Sequence, residues 1–320
     1  MTQPPRSALI CGSIAYDNLM IFQDRFKNHI LPDRIHILNV SFLVPQLRRE
    51  FGGCAGNIAY NLRLLGDVGL PMATVGKDFG PYEEWMQRCG VPRDYIRVIG
   101  TEHTAQAFIT TDLDDNQITA FHPGAMQHSH ENQVPAAHEI AIGVVAPDGR
   151  DGMMQHAAQF AAAGIPFIFD PGQGLPMFDG ADLRRFITQA SWVAVNDYEW
   201  GLMQERTGLS AREITQQVKA LIVTRGAAGS VIHTQGREIL IPAAAPRALV
   251  DPTGCGDAYR AGLLHGLMRD FDWETTGRIA SLMGAIKIAF RGTQNHSFTQ
   301  SEFEQQYRAA FGAELKLRAA

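Results

Sequence analysis

From residue 140 onward the chain alternates short apolar runs with longer amphipathic ones, and this alternation restricts its fold more than any other feature. Ile140 to Ala146 reads as a strand, Met153 to Ala163 as a helix, Ile165 to Phe169 as a strand, Leu183 to Gln189 as a helix and Trp192 to Val195 as a strand. Strands joined through helices pair in parallel, because the crossover carries the chain back to the edge it started from. The pattern therefore predicts an α/β fold: a doubly wound, mostly parallel sheet with helices on both faces. Leu221 to Thr224 adds a buried strand, and Ser230 to Thr234 with Glu238 to Ile241 predicts a hairpin around Gln235-Gly236. Helices are expected over Ala258 to Arg269, Glu274 to Ala289 and Ser301 to Phe311.

The N-terminal part is less regular. Ala8 to Gly12 reads as a buried strand followed by Ser13 to Asp17, and a strand ending in glycine with a polar tip is where open α/β sheets place ligands. Arg34 to Val44, Thr104 to Thr111 and Gln117 to His122 are rich in β-branched and apolar residues, the last two predicting a hairpin across Asp112 to Asn116. Between them, Phe51 to Asn57 leads into Ile58, Leu62 and Leu65 at helical spacing, ending at Gly66. With no repeat, low-complexity run or long linker, the expectation is one domain over residues 1–320, with a small antiparallel β lid inserted at about 18–50 and 100–126.

Charge narrows the partners. The chain carries 28 Lys and Arg against 33 Asp and Glu, a net charge of -5, and no basic tract suited to a nucleic acid or an anionic membrane. Cys11, Cys54, Cys89 and Cys255 show no CxxC pairing, and the eleven histidines show no metal-binding spacing. A reducing cytoplasmic location is expected, since residues 1–7 are polar and no apolar run approaches the ~18 residues of a membrane span.

The stretch that carries chemistry is Asp251-Pro252-Thr253-Gly254-Cys255-Gly256-Asp257-Ala258. Glycines on both sides of Cys255 let backbone N–H groups turn one way, and a helix starting there adds its positive end, which makes an anion site. A carboxylate at the mouth of such a site suits phosphoryl transfer: the donors stabilise charge on the moving group while Asp257 takes the proton of the attacking hydroxyl. Asp near a helix start is also ordinary capping chemistry, and the spacing alone leaves both readings open. Cys255, placed among N–H donors, is either an activated thiol or, the weightier reading, a buried inert one that thiol reagents modify slowly.

Asp251 to Asp257 resembles the C-terminal signature of the ribokinase-like (pfkB) carbohydrate and nucleoside kinases, with Pro252 and Cys255 in place of the usual Thr and Ala. Gly52-Gly53-Cys54-Ala55-Gly56-Asn57 is similar to the family's N-terminal signature, and Gly12 to Asp17, Asn196 to Glu199 and Thr224 to Gly229 look like its supporting loops. The matches run from Gly12 to about Gln294, and Phe121-His122-Pro123-Gly124-Ala125-Met126 and Asn196-Asp197-Tyr198-Glu199-Trp200 make the chain most similar to the bacterial adenosine kinases. Beside the resemblance, Asn196 and Glu199 also fit a helix capping box, and the loop at Thr224 is no Walker motif.

The resemblance implies ATP-dependent phosphorylation of the 5′-hydroxyl of adenosine to AMP and ADP. Asp257 would be the base, and Gly254, Cys255 and Gly256 the anion hole. Ser13, Asp17, Ser41, Gly53, Asn57, Phe121 and Gln173 would bind the acceptor; Asn196, Glu199, Thr224, Gly226, Gly229 and Thr253 the nucleotide. Glu199 would meet Mg2+ through water, and a monovalent cation such as K+ and a homodimer formed through the lid are further expectations of the resemblance. Chemistry agrees where it can be read: Asp17 can accept from two vicinal hydroxyls, Asn57 can both donate and accept, and Phe121 can stack on a base. Ala107 and Phe108 fall on the neighbouring strand, which leaves open whether one ring or two hold that base. A ribose or fructose kinase would need no aromatic lid, and a silent nucleoside-binding protein would lack Asp257.

Overall fold

The computed structural model describes residues 7–114, 116–136, 140–315 and 317; the polar residues 1–6 and Asp115, in the predicted 112–116 turn, lie outside them. Strands β1 (Ser7–Cys11), β4 (Val68–Gly76), β5 (Tyr95–Ile99), β8 (Ile140–Val145), β9 (Phe167–Phe169), β10 (Trp192–Asn196), β11 (Ala220–Thr224), β12 (Ser230–Thr234) and β13 (Arg237–Ile241) form one sheet. Its order is β13-β12-β11-β10-β9-β8-β1-β4-β5, parallel from β11 to β5 and antiparallel only through the β12–β13 hairpin. All five residues of β1 are buried, as a strand covered on both faces requires.

The alternation of β1 sorts the helices. Ala8 and Ile10 pack with Ile58 and Leu62 of α1 (Cys54–Leu64), Met86 of α2 (Gly80–Cys89), Leu263 of α7 (Cys255–Met268) and Ala280 of α8 (Trp273–Lys287). Leu9 and Cys11 face the other way. They meet Phe160 of α3 (Arg150–Ala163), Phe186 of α4 (Gly180–Gln189), Met203 of α5 (Asp197–Thr207) and Ile214 of α6 (Ala211–Thr215). The final helix, α9 (Gln300–Phe311), buries Phe303 and Tyr307 against α8. Among the described residues, no helix is long and apolar enough to cross a membrane.

Strands β2 (Ala15–Ile21), β3 (Gln46–Gly52), β6 (Ala105–Thr111) and β7 (Gln117–His122) form a second, smaller sheet in the order β3-β2-β6-β7. Its two antiparallel pairs meet through a parallel β2–β6 contact. The strand expected over Arg34 to Val44 is not there: Pro32–Ile37 is a 3-10 turn, the chain is irregular to Pro45, and the strand lies at Gln46–Gly52 instead. Prolines at 32 and 45 bracket the apolar run, and its Ile37, Leu38 and Leu43 are exposed rather than alternating into a core. Phe42 turns inward to Phe22 and Phe26, with ring centroids 4.8 and 5.0 Å away, and so fastens the loop.

In the large sheet, β1 leads outward to β4 and β5 while β8 leads the other way through β9, β10 and β11, so the order reverses between β1 and β8. Ligands of open α/β sheets bind beyond the strand C-termini at such a reversal. There the chain leaves β1 as Gly12-Ser13, with the Ser13 N–H donating to Pro147 O at 3.0 Å.

Candidate active site

Two helices begin at this reversal, α1 with Asn57 and α7 with Cys255, Gly256 and Asp257 in the first turn. The turn into α7 is built by Asp251, whose Oδ1 accepts from the Thr253 N–H at 2.9 Å, and by Gly254 in the left-handed conformation at φ 77°. A side chain at Gly254 would press on Thr293, with Cγ2 3.0 Å from the added Cβ. Cys255 N–H closes back on Pro252 O at 3.2 Å, whereas the N–H groups of Gly256 and Asp257 have no acceptor among the described residues. A Cβ on Gly256 would meet nothing within 4 Å, and the unpaired N–H groups of the first turn are the donors that a helix start offers to an anion. The Cys255 thiol is not activated there: burial outweighs the nearby Lys287 charge and pushes it up to about 11.

The Asp257 carboxylate accepts from Asn57 Nδ2 at 2.8 Å. Burial pushes its pKa up to about 7; Asn57 opposes the shift, Asp170 adds to it and the Arg260 charge opposes it. Such a group can hold or release a proton near neutrality, which a general base needs. Asn57 sits in α1, which starts at Gly53 with φ 87°, and the Ser13 hydroxyl and carbonyl accept the N–H groups of Cys54 and Ala55 at 3.2 and 2.9 Å. Ser13 thus caps the helix that presents Asn57.

Sequence reasoning missed what orients Asn57. Gln294 Nε2 donates to Asn57 Oδ1 at 2.9 Å and to the Tyr82 hydroxyl at 2.7 Å, while Trp85 Nε1 donates to Gln294 Oε1 at 2.8 Å. With Oδ1 occupied, the amide nitrogen of Asn57 is the group turned to Asp257. Asp170 was also missed; it follows β9 and forms a buried ion pair with Arg260 at 3.0 Å, one helical turn beyond Asp257. No local motif marks either residue.

On the small sheet, the register aligns Glu50, Asp17, Ala107 and Phe121 in one row across β3, β2, β6 and β7. Directly paired residues share a face, so Asp17 and Phe121 stand on the same side, about 10 Å apart at two strand spacings. That side faces the anion turn: burial raises the Asp17 pKa to about 6, with Asp251 and Glu50 adding to the shift. Phe121 is 52% exposed, and the small Ala107 leaves room beside it. Phe108 belongs to the neighbouring row and points to the opposite face, so a single ring of these two looks onto the Asp17 side.

Asn196 and Thr224 end neighbouring strands and pair directly in register. The capping box is present: Asn196 Oδ1 accepts from the Glu199 N–H, and the Glu199 carboxylate accepts from the Asn196 N–H, both at 2.8 Å. Gly226 and Gly229 both have positive φ, and a side chain at Gly229 would collide with Ile241 O. Thr253 is exposed at the anion turn. Ser41, on the irregular chain before β3, and Gln173, on the 3-10 turn after β9, are exposed and take no part in the hydrogen bonds that join Asn57 to Asp257.

Residues 14–300 match the pfkB family carbohydrate kinases. The chain belongs to this family. A nucleoside kinase of Methanocaldococcus jannaschii is 31% identical over 260 residues, covering 81% of this chain and 85% of the relative. The structure of Burkholderia thailandensis nucleoside kinase in complex with inosine superposes with a TM-score of 0.88 at 54% identity, covering 96% of this chain and 99% of that one. A fructokinase of Escherichia coli is 26% identical over 284 residues, covering 80% of this chain and 91% of the relative. As a pfkB kinase the chain transfers a phosphoryl group to a hydroxyl. The turn into α7 and the half-buried Asp257 lie beyond the C-terminal ends of the parallel strands, next to the reversal between β1 and β8.

Proposed function

We propose that this pfkB kinase uses ATP to phosphorylate the 5′-hydroxyl of purine nucleosides, adenosine among them, with Asp257 as general base and the Gly254–Asp257 turn as anion hole. The observation that carries the reading is the row in which Asp17 and Phe121 share one face of the small sheet. A ribose whose 2′- and 3′-hydroxyls donate to Asp17 places its base toward Phe121, and its 5′-hydroxyl is then free to reach Asp257. A sugar alone would leave the exposed ring of Phe121 unused. The complex of Burkholderia thailandensis nucleoside kinase with ADP and inosine supports the same pairing of substrates, at 55% identity and a TM-score of 0.86.

Asp257 removes the proton from the 5′-hydroxyl, and the free N–H groups of the turn take up the charge that develops on the phosphoryl oxygens. The nucleotide would lie over Asn196, Thr224 and the Gly226–Gly229 turn. No cluster of three or more His, Cys, Asp or Glu that could hold a metal occurs among the described residues. Mg2+ keeps most of its waters and takes its ligands largely from phosphates, and Glu199 retains lone pairs for one such water. When bound, Mg2+ would neutralise phosphate charge. The small sheet serves as a lid that excludes water when it closes over the nucleoside.

ADP release measured across adenosine, inosine, ribose and fructose tests the reading; a preference for ribose or fructose overturns it. Phe121→Ala is expected to lower kcat/KM for adenosine about tenfold or more, from lost stacking and apolar burial, while any activity on ribose stays within about twofold. Equal losses on all substrates would show that no base stacks on the ring. Because burial holds Asp257 near 7, kcat/KM should rise with pH through about 7 and level off above it. A flat profile between pH 5.5 and 8.5 would rule out Asp257 as the titrating base.

A further inference from the structure

Lys287 closes α8 and has no exposed surface. A buried ammonium is ordinarily paired with a carboxylate. Here Nζ donates instead to two backbone carbonyls, Asp251 O at 2.7 Å and Phe290 O at 3.3 Å. The Asp251 carboxylate is turned to other work, accepting from the Thr253 N–H at 2.9 Å and from the Gly292 N–H at 2.8 Å. Burial lowers the lysine pKa while Asp251, Cys255, Asp257 and Glu50 oppose that shift, so the surrounding field favours a cation at this point.

The carbonyls held by Lys287 flank the anion turn. Val250 and Asp251 N–H groups both donate to Ile288 O, at 2.9 and 3.1 Å, so the chain entering the turn is stapled to the end of α8. Carbonyl oxygens converging on one positive charge are how proteins hold K+ in place of its water shell. At this position the charge is part of the chain, and its ammonium fills the space between the oxygens. The residues beside the turn therefore do not fit a free monovalent cation.

We propose that Lys287 is a tethered monovalent cation that shapes the anion turn, so that this kinase works without K+. It touches neither phosphate nor nucleoside and is a positioning residue, acting through the Asp251 carbonyl. The proposal rests on kinase chemistry, not on which nucleoside is accepted.

The test compares the purified protein in choline, sodium, potassium and ammonium chloride at one ionic strength, reading both turnover and Tm. Wild type should show turnover within about twofold across the salts and no potassium-specific rise in Tm. Lys287→Met, of similar length but uncharged, should lose about tenfold or more in choline chloride. Potassium or ammonium should then restore several-fold of the rate and raise Tm, because the Met side chain ends one atom short of Nζ and leaves the two carbonyls open to a free ion. The proposal is overturned if potassium activates wild type fivefold or more, if the variant keeps its full rate in choline, or if no cation restores a lowered rate. Should Lys287→Met fail to fold in every salt, the wild-type comparison decides alone. If wild type turns over no nucleoside, the functional reading has failed and the two Tm series decide.

Discussion

Asp257→Asn should lower turnover about 10²- to 10⁴-fold and leave nucleoside affinity within a few-fold of wild type. The replacement amide can still accept from Asn57, so the geometry of α1 and α7 is kept while the proton acceptor is lost. Single-turnover phosphorylation and equilibrium binding of adenosine measure the two effects separately; a variant that phosphorylates within a few-fold of wild type removes Asp257 from the role of base. Stability should move the opposite way. The folded pKa of about 7 lies above the ordinary carboxylate value of 3.8, so the folded state binds the extra proton between these limits. The stability linked to this group is fully present below about pH 4 and is lost as pH rises through about 7. At pH 8 the wild type carries a buried charge that the amide lacks. The variant should therefore melt higher than wild type at pH 8, with the gap closing toward pH 5.

Gly53→Ala is expected to destabilise the fold by about 2 to 4 kcal/mol and to cost most of the activity. At φ 87° and ψ 138° the residue lies where side chains are strained, and the added Cβ would stand 2.6 Å from Ser13 O and 2.7 Å from Ala15 N. Both are backbone atoms at the junction of β1 and β2, so relief requires α1 to move and Asn57 to move with it. Gly256→Ala is the contrast, since its Cβ meets nothing, and its Tm should stay close to wild type. Denaturant melts of the two variants check this; equal midpoints would show that the Gly53 turn is tolerant.

The βαβ half of the chain is legible because its strands are buried on both faces and separated by helices with clear apolar faces. The segment from Val68 to Ile99 is not, although it supplies β4, α2 and β5. Pro71 and the glycines of Val68–Gly76 argue against a strand, yet Pro71 pairs with Ile10 where β5 has not begun and one side of β4 is unpaired. Strand β3 escapes for a different reason: Gln46–Gly52 is mostly exposed, so its polar side chains carry no pattern of burial. In the site, the motif residues Asn57 and Asp257 are hydrogen-bonded to each other and Asn196 pairs with Thr224, whereas Ser41 and Gln173 stand apart from the Asn57–Asp257 bonds. Gln294 and Asp170 are invisible locally because their roles exist only through partners brought from other parts of the chain. The Cys255 thiol shows the limit of reasoning from a helix start, since desolvation outweighs the favourable end of the helix.

The contacts that close the site join chain segments very far apart. Asn57 and Asp257 are 200 positions apart, Asn57 and Gln294 237, and Phe51 and Thr293 242. During synthesis at about 5 to 20 residues per second, α1 leaves the ribosome roughly 10 to 40 s before the helix that must cover it. Through that interval β4, β5 and β8 to β11 can join β1 in the sheet, but Asn57 is without Asp257 and Gln294, the partners that orient it. Catalytic competence thus arrives only with the last fifth of the chain, as a property of the finished molecule and of no earlier fragment.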